Sequence, residues 1–177
     1  MKRQPLSEIP EIRGSRLTLK RLLPADAAGL EELVGDREVY RYLPTFLFEK
    51  KYSDVSLVIE RLYDECLRES LILGVFAGAD LCGLAELYGH RAPIRKISVG
   101  YRLLKRCWGR GIATEALGMM VAYLYNETDT EIITASTMVE NLASANVLRK
   151  NGFELVTHAV TEDWGYEAPT IVDKWIR

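Results

Sequence analysis

Two glycines one residue apart, Gly109 and Gly111, stand in the stretch Arg106-Cys107-Trp108-Gly109-Arg110-Gly111-Ile112-Ala113. Lacking side chains, they leave backbone N–H groups open to a ligand, and the apolar helix predicted from Ile112 onward aims its N-terminus at the same place. A helix N-terminus carries about half a positive charge and several unpaired N–H groups, so a pyrophosphate gains both hydrogen bonds and field there. A tight turn is the other reading of Gly-x-Gly taken alone. The Gly-Lys-Ser/Thr ending of a Walker loop is absent, and Thr114 stands where a dinucleotide fingerprint needs Gly or Ala. Asp129 lies near the spacing of a ribose-binding acid, yet it precedes the next predicted strand. Rossmann-type binding therefore fits poorly.

The elements that must hold this loop follow from periodicity. Arg16-Leu17-Thr18-Leu19-Lys20-Arg21 alternates with period two, as a half-buried strand does. Pro24 opens a helix to about Val34, ended by Gly35. Between Ser53 and Ser70, Val55, Val58, Ile59, Leu62, Cys66 and Leu67 recur at helical spacing, which predicts one amphipathic helix with Asp64 and Arg68 paired on its wet side. Leu71–Ala77 and Asp80–Tyr88 read as a hairpin, and Ile97–Leu104 as a strand in which Gly100 signals a bulge or a close approach to a ligand. The apolar helix from Ile112, a strand over Glu131–Met138, a helix over Asn141–Asn151 closed by Gly152, and strands over Phe153–Val160 and Thr170–Ile176 complete the chain. This order is α+β, with one parallel crossover that sets a helix N-terminus at the C-terminal end of a strand.

Composition narrows the function. The 177 residues suit one domain, residues 1–15 forming an arm before the first strand. Hydrophobic residues at 48% and charged residues at 27% suit a packed core. A net charge of −2 offers no basic field for nucleic acid. Cys66, Cys82 and Cys107 are odd in number and far apart, and neither His90 nor His158 joins them at metal-ligand spacing, so free thiols and no metal are expected. The first residues lack the apolar stretch of a signal peptide, and no run has the length of a membrane span, which points to the cytoplasm and to no membrane partner.

Arg106, Gly109 and Gly111 match the pattern Arg/Gln-x-x-Gly-x-Gly/Ala, and through it the chain resembles the GNAT superfamily of N-acetyltransferases. Ile97-Ser98-Val99-Gly100-Tyr101-Arg102-Leu103-Leu104 followed by Trp108–Ala116 is similar to the RimJ/RimL-like branch, the ribosomal-protein alanine acetyltransferases. Asn141-Leu142-Ala143-Ser144, then Lys150-Asn151-Gly152-Phe153, resembles that branch's second motif. Arg16–Leu19 and Arg41-Tyr42-Leu43 resemble its N-terminal elements, so the likeness spans roughly residues 15 to 155.

The resemblance implies a GNAT-like mixed, mostly antiparallel central sheet flanked by helices, and acetyl-CoA as cosubstrate. It implies that backbone at Leu103 and Leu104 pairs with the pantetheine arm, while Trp108, Gly109, Arg110, Gly111, Ile112, Ala113 and Thr114 hold the pyrophosphate, with Arg106 and Arg110 adding charge. Asn141 would approach the pantetheine or serve as a helix N-cap. Direct transfer to a primary amine is implied, at best a peptide or protein N-terminus; a small-molecule amine and a noncatalytic CoA-binding module are the alternatives. A homodimer through an edge strand of the C-terminal segment, Trp175 included, is a further expectation.

Acetyl transfer from a thioester needs a neutral amine and a donor for the leaving thiolate. The tyrosine that many GNAT enzymes place four residues before Gly-Phe is Leu148 here. Ser144 is the candidate donor to the sulfur, or an ordinary first-turn serine. Glu86 is the candidate base acting through water, or a solvent-facing strand residue. Glu115 reads as a first-turn acid, His90 as a loop histidine, and Cys107 as no nucleophile. Tyr40, Tyr42 and Phe46 on one side, and Glu162, Asp163, Trp164 and Tyr166 on the other, are candidates to wall an acceptor groove. An α-amine, with a pKa of about 7.7–8.0, is roughly a tenth neutral at pH 7, whereas about one lysine in 2,500 is, so a weak base suits an α-amine.

Overall fold

The computed structural model describes residues 2–177, the side chain of Glu65 excepted. Eight strands form one sheet: β1 (Ile12–Arg13), β2 (Leu17–Lys20), β3 (Ser70–Ala77), β4 (Asp80–Arg91), β5 (Lys96–Leu103), β6 (Ile132–Met138), β7 (Glu154–Glu162) and β8 (Thr170–Ile176). Their spatial order is β1-β2-β3-β4-β5-β6-β8-β7, and every neighbouring pair is antiparallel except β5 and β6. Four helices pack on it: α1 (Ala27–Gly35), α2 (Val55–Glu65), α3 (Ile112–Glu127) and α4 (Leu142–Lys150). The mixed, mostly antiparallel sheet flanked by helices is the expected architecture.

The parallel crossover is where the fold opens. Only Lys96, Ile97 and Ser98 of β5 pair with Ile132, Ile133 and Thr134 of β6. Beyond them β6 continues on β8, from Thr134 opposite Ile176 to Met138 opposite Val172, while β5 continues on β4. One backbone edge of Val99–Leu103 is thus left without a strand partner inside the sheet. Such an edge is a row of donors and acceptors ready for an extended ligand.

Helix α3 anchors the opening. Its Ile112, Ala116, Leu117, Met120, Val121 and Leu124 are buried, together with Ile97, Val99, Leu103 and Ile133 of the strands, in one continuous core. Each such aliphatic side chain stabilises the fold by about 1.5–3 kcal/mol, which fixes the start of α3 relative to β5.

Three expectations are corrected. Helix α2 ends at Glu65 instead of near Ser70, because Leu67 turns to a positive φ of 74° and its N–H bonds Ser70 O at 2.8 Å to launch β3. Asp64 and Arg68 are therefore not a pair on one helix face. His90 belongs to β4, because an irregular ladder between Tyr88 and Arg91 carries pairing on to Arg91 opposite Lys96. Trp175 lies in β8, inside the sheet, with its indole N–H on Thr137 Oγ1 at 2.9 Å; the edge is β7.

Candidate active site

A cleft of about 2080 Å3 runs from the start of α3 along the opening between β5 and β6 and out over the other face of the sheet. Trp108, Gly109, Gly111, Ile112, Ala113 and Thr114 line one arm of it, with Leu103, Asn141 and Ser144. Gly109 and Gly111 have φ of 68° and 74°, left-handed values that strain any residue with a Cβ. Gly111 is the N-cap of α3 and has no side chain to cap the first turn, so the leading N–H groups face the cleft unfilled. A Cβ built on Gly109 meets nothing within 4 Å. The protein's own packing does not require a glycine there, which leaves the φ and the approach of a ligand as its reasons.

The loop is braced from outside. The Trp108 indole donates to Leu103 O at 2.8 Å, and Leu104 N–H donates to Cys82 O at 2.8 Å. Arg16, whose part sequence reasoning misses, bonds Glu115 Oε2 through Nε at 2.7 Å and Arg110 O through Nη1 at 3.3 Å. Glu115 is thereby a brace for the helix start, as a first-turn acid should be. No local pattern links Arg16 to the loop, since it comes from the bend before β2, ninety-odd positions earlier.

Two expected cofactor contacts are directed elsewhere, and the side chain of a third stays outside the cleft. Arg106 turns away from the cleft to Glu32, with Nε to Oε1 at 3.2 Å, and to Leu81 O at 3.1 Å. Its charge already has a carboxylate, so it steadies the base of the loop. Leu104 has its N–H in the β4 interaction and its side chain in the core, and the Arg110 side chain is exposed; neither lines the cleft.

Asn141 caps α4: its Oδ1 accepts from Ser144 N–H at 3.1 Å. That cap holds Ser144 so that its Oγ lies 2.8 Å from the hydroxyl of Tyr101, on β5. Burial pushes the Tyr101 phenol up to about 12, and the Ser144 contact opposes this. Leu148, four residues before Gly152, is a buried core side chain. Sequence reasoning misses the hydroxyl pair, because Tyr101 shows there only as one more alternating strand residue.

The other arm of the cleft starts at Glu86, opposite Gly100 in the β4–β5 ladder. That ladder is regular at Gly100, and a Cβ there would touch Tyr88 Cε1 at an ordinary 3.6 Å, so there is no bulge. Glu86 Oε2 lies 3.3 Å from Arg102 Nη1; Arg102 Nη2 donates to Glu49 Oε2 at 2.8 Å, and the Tyr40 hydroxyl donates to Glu49 Oε1 at 2.9 Å. The Arg102 and Glu49 side chains are each 2% exposed, whereas that of Glu86 is 17% exposed and reaches the cleft. Burial raises the Glu86 pKa, the Arg102 guanidinium opposes the rise, and the Glu49 carboxylate adds to it. One guanidinium shared by two carboxylates leaves Glu86, the more open of them, as the group able to take a proton at the cleft wall.

Two loops roof this arm. Thr45 N–H donates to Trp164 O at 2.9 Å, and the Tyr166 hydroxyl bonds Leu43 O. Tyr42 and Phe46 line the cleft as expected, with Glu162, Asp163 and Trp164 opposite. Tyr40 does not; it points into the Glu49 network. Cys107 is fully buried beside Cys82, and burial with that thiol pushes it up to about 11, which excludes a thiolate at neutral pH. His158 lies on β7 with Nδ1 2.7 Å from Asp173 Oδ1, away from the cleft. Among the described residues no cluster of three metal-ligating side chains occurs, and no helix is long and apolar enough to cross a membrane.

Residues 16–154 match the acetyltransferase (GNAT) domain family. The chain belongs to the GNAT acetyltransferases. It is 36% identical over 88 residues to YjcK of Bacillus subtilis, named as an N-acetyltransferase; that match covers 48% of this chain and 49% of YjcK. It is 28% identical to YdaF of Bacillus subtilis, named as a ribosomal N-acetyltransferase, over 77% of each chain. The structure of RimL, the ribosomal L7/L12 alpha-N-protein acetyltransferase in complex with coenzyme A, superimposes with a TM-score of 0.78 at 17% identity, covering 95% of this chain and 97% of RimL. This GNAT enzyme is thus an acetyl-CoA-dependent acetyltransferase with the RimJ/RimL-like architecture.

Proposed function

We propose that the enzyme moves acetyl from acetyl-CoA directly to the α-amine of a peptide or protein N-terminus, in the cytoplasm, without a covalent enzyme intermediate. The observation that carries this is the unpaired edge of Val99–Leu103, which leads from the open N-terminus of α3 to Glu86. Pyrophosphate on the N–H groups at Gly109–Thr114 directs pantetheine along that edge toward Gly100. With Leu104 N–H and Leu103 O already bonded, the free groups lie earlier in β5 than the Leu103–Leu104 backbone expected from resemblance.

The amine enters from the other arm, and its nitrogen attacks the thioester carbon next to Gly100. Glu86, its pKa raised, accepts the proton that the nitrogen sheds, directly or through a water, and returns it to solvent. As the C–S bond breaks, the Ser144 hydroxyl donates to the sulfur. The 2.8 Å contact between the two hydroxyls allows either to donate; with Tyr101 donating to Ser144 Oγ in the reacting complex, the serine hydrogen is free to point into the cleft.

Magnitudes decide what this pair does. Full transfer of a proton from a phenol near 12 to a thiolate whose conjugate acid lies near 8.5 is uphill by roughly 5 kcal/mol. Ser144 and Tyr101 therefore stabilise the thiolate by hydrogen bonding, and the thiol's final proton comes from solvent.

An α-amine acceptor agrees with this modest machinery, because roughly a tenth of it is already neutral at pH 7. The RimL and YdaF names agree with it as well. The test is thiol release from acetyl-CoA with a panel of N-terminal peptides, lysine side-chain analogues with blocked N-termini, and polyamines. Peptide-dependent release supports the proposal; release with polyamines alone moves the acceptor to small molecules, and CoA binding with no release for any amine makes this a noncatalytic module.

A further inference from the structure

The floor of the acceptor arm is the polar face of the sheet. Partners across the β4–β5 ladder share a face, so Glu86 and Gly100, Tyr88 and Ser98, and Arg91 and Lys96 succeed one another away from the reacting centre. Arg91 and Lys96 thus stand directly opposite each other with like charge, and both line the cleft. Among the described residues neither has an ion pair or a hydrogen bond to an acid. The nearby Glu162 is engaged by Lys174 and by the Trp164 indole at 2.9 Å. Lys96 is half-buried and its pKa is lowered, first by burial and then by Arg91 and Lys174.

Like charges facing each other across a ladder are destabilising, and a partly buried ammonium without a counter-ion adds to the cost. A ligand anion relieves both. The four residue steps from Gly100 to Lys96 span about 13 Å at roughly 3.3 Å per step, the reach of three to four residues of extended peptide.

Resting on the transferase function proposed above, we infer that Arg91 and Lys96 form an anion subsite that selects acceptors carrying a negative group about 13 Å from the reacting amine. In a peptide acceptor this is an Asp or Glu side chain at the third to fifth residue. The chemistry is that of a carboxylate or phosphate facing an unpaired cation pair, and the peptide is the source that the length of the groove favours.

The experiment compares peptides with one shared N-terminal dipeptide that carry Glu, Gln or Lys at positions three to five, beside a short phosphorylated primary amine. Two readouts are taken: kcat/KM with acetyl-CoA, and binding of each peptide to the CoA-loaded protein. The Glu peptides should be favoured over the Gln peptides by about five- to tenfold in both, shrinking as salt is raised. Lys96→Gln and Arg91→Gln should each bring the ratio close to one. Lys96→Gln should also keep or raise the thermal midpoint, since it removes a like-charge contact.

Equal binding of Glu and Gln peptides to the native protein, or a preference unchanged in both variants, overturns the subsite. A preference shown only by the phosphorylated amine, and lost in the variants, overturns the peptide as its source. Charge-selective binding without acetyl transfer supports the subsite and counts against the transferase function.

Discussion

The two arms of the cleft are built from different materials. The arm assigned to acetyl-CoA is mainly backbone: a free strand edge over Val99–Leu103, two glycines with positive φ, and an uncapped helix N-terminus, all within twenty residues of chain. The acceptor arm is made of side chains brought together from afar, with Glu49 from the α1–α2 connection, Glu86 from β4, Arg102 from β5 and Lys174 from β8. A backbone site tolerates side-chain change and keeps one cosubstrate. A side-chain site can be rewritten one residue at a time to meet a different amine.

If the contrast holds, damage to the acceptor arm should first cost stability and damage to the cosubstrate arm should first cost affinity. Arg102→Ala is expected to have the largest effect. It leaves the carboxylate of Glu49, 2% exposed, without its guanidinium, and losing one partner of a buried pair costs about 3–5 kcal/mol. Denaturant unfolding measures this; a loss below about 1 kcal/mol would mean that the network is solvated and the contrast false.

Gly109→Val comes next. Strain at a φ of 68° costs about 1–3 kcal/mol of stability, and no neighbour lies within 4 Å to add a clash. CoA affinity should fall further, about 100-fold or more, because the new side chain occupies the approach to the N–H groups. Titration of the folded variant decides: an unchanged dissociation constant would move the pyrophosphate away from this loop.

The hydroxyl pair joins the arms, and its effect is smaller. Ser144→Ala should lower kcat about 10- to 100-fold and Tyr101→Phe about 10-fold, with the KM for acetyl-CoA nearly constant in both. The double variant should be no slower than Ser144→Ala, since Tyr101 works through Ser144. Additive losses would separate the two residues and give Tyr101 its own contact with the substrate.

The same contrast governs how much the sequence reveals. Strand and helix periods, the order of elements, and the glycine loop are local properties, so Ile97–Ala116 displays the cosubstrate arm almost entire. Errors there concern direction: Arg106 looks like a phosphate ligand because of its position in the motif, but Glu32 on α1 captures it. The acceptor arm depends on register. Nothing near Glu49 announces that it will meet Arg102, and nothing near Lys96 announces Arg91, because those pairings arise only when α1–α2 folds over the sheet and when an irregular ladder extends β4 past Tyr88. His90 and Trp175 mislead for the same reason. Whether a strand residue lies inside, at the edge or in a loop depends on partners that the local sequence does not name.

The smallest effect bears on the base. The Glu86 pKa is raised above the ordinary 4.5, chiefly by burial, so between the unfolded and folded values the native protein holds more protons than the unfolded chain. Stability from this group is therefore complete below the unfolded pKa and declines as pH rises through the folded one. Glu86→Gln should flatten that decline while leaving the fold intact, by about 1.4 kcal/mol for every tenfold difference in proton affinity between the folded and unfolded chain, read from unfolding midpoints across pH. In turnover the sign is opposite. The carboxylate is the active form, so kcat/KM for a peptide amine should rise with pH through the same raised pKa, and Glu86→Gln should remove that acid limb while keeping the separate rise set by the amine's own pKa of about 7.7–8.0. A variant that loses the stability trend and keeps the limb would make Glu86 a structural neighbour of Arg102 and assign the proton to another group or to water.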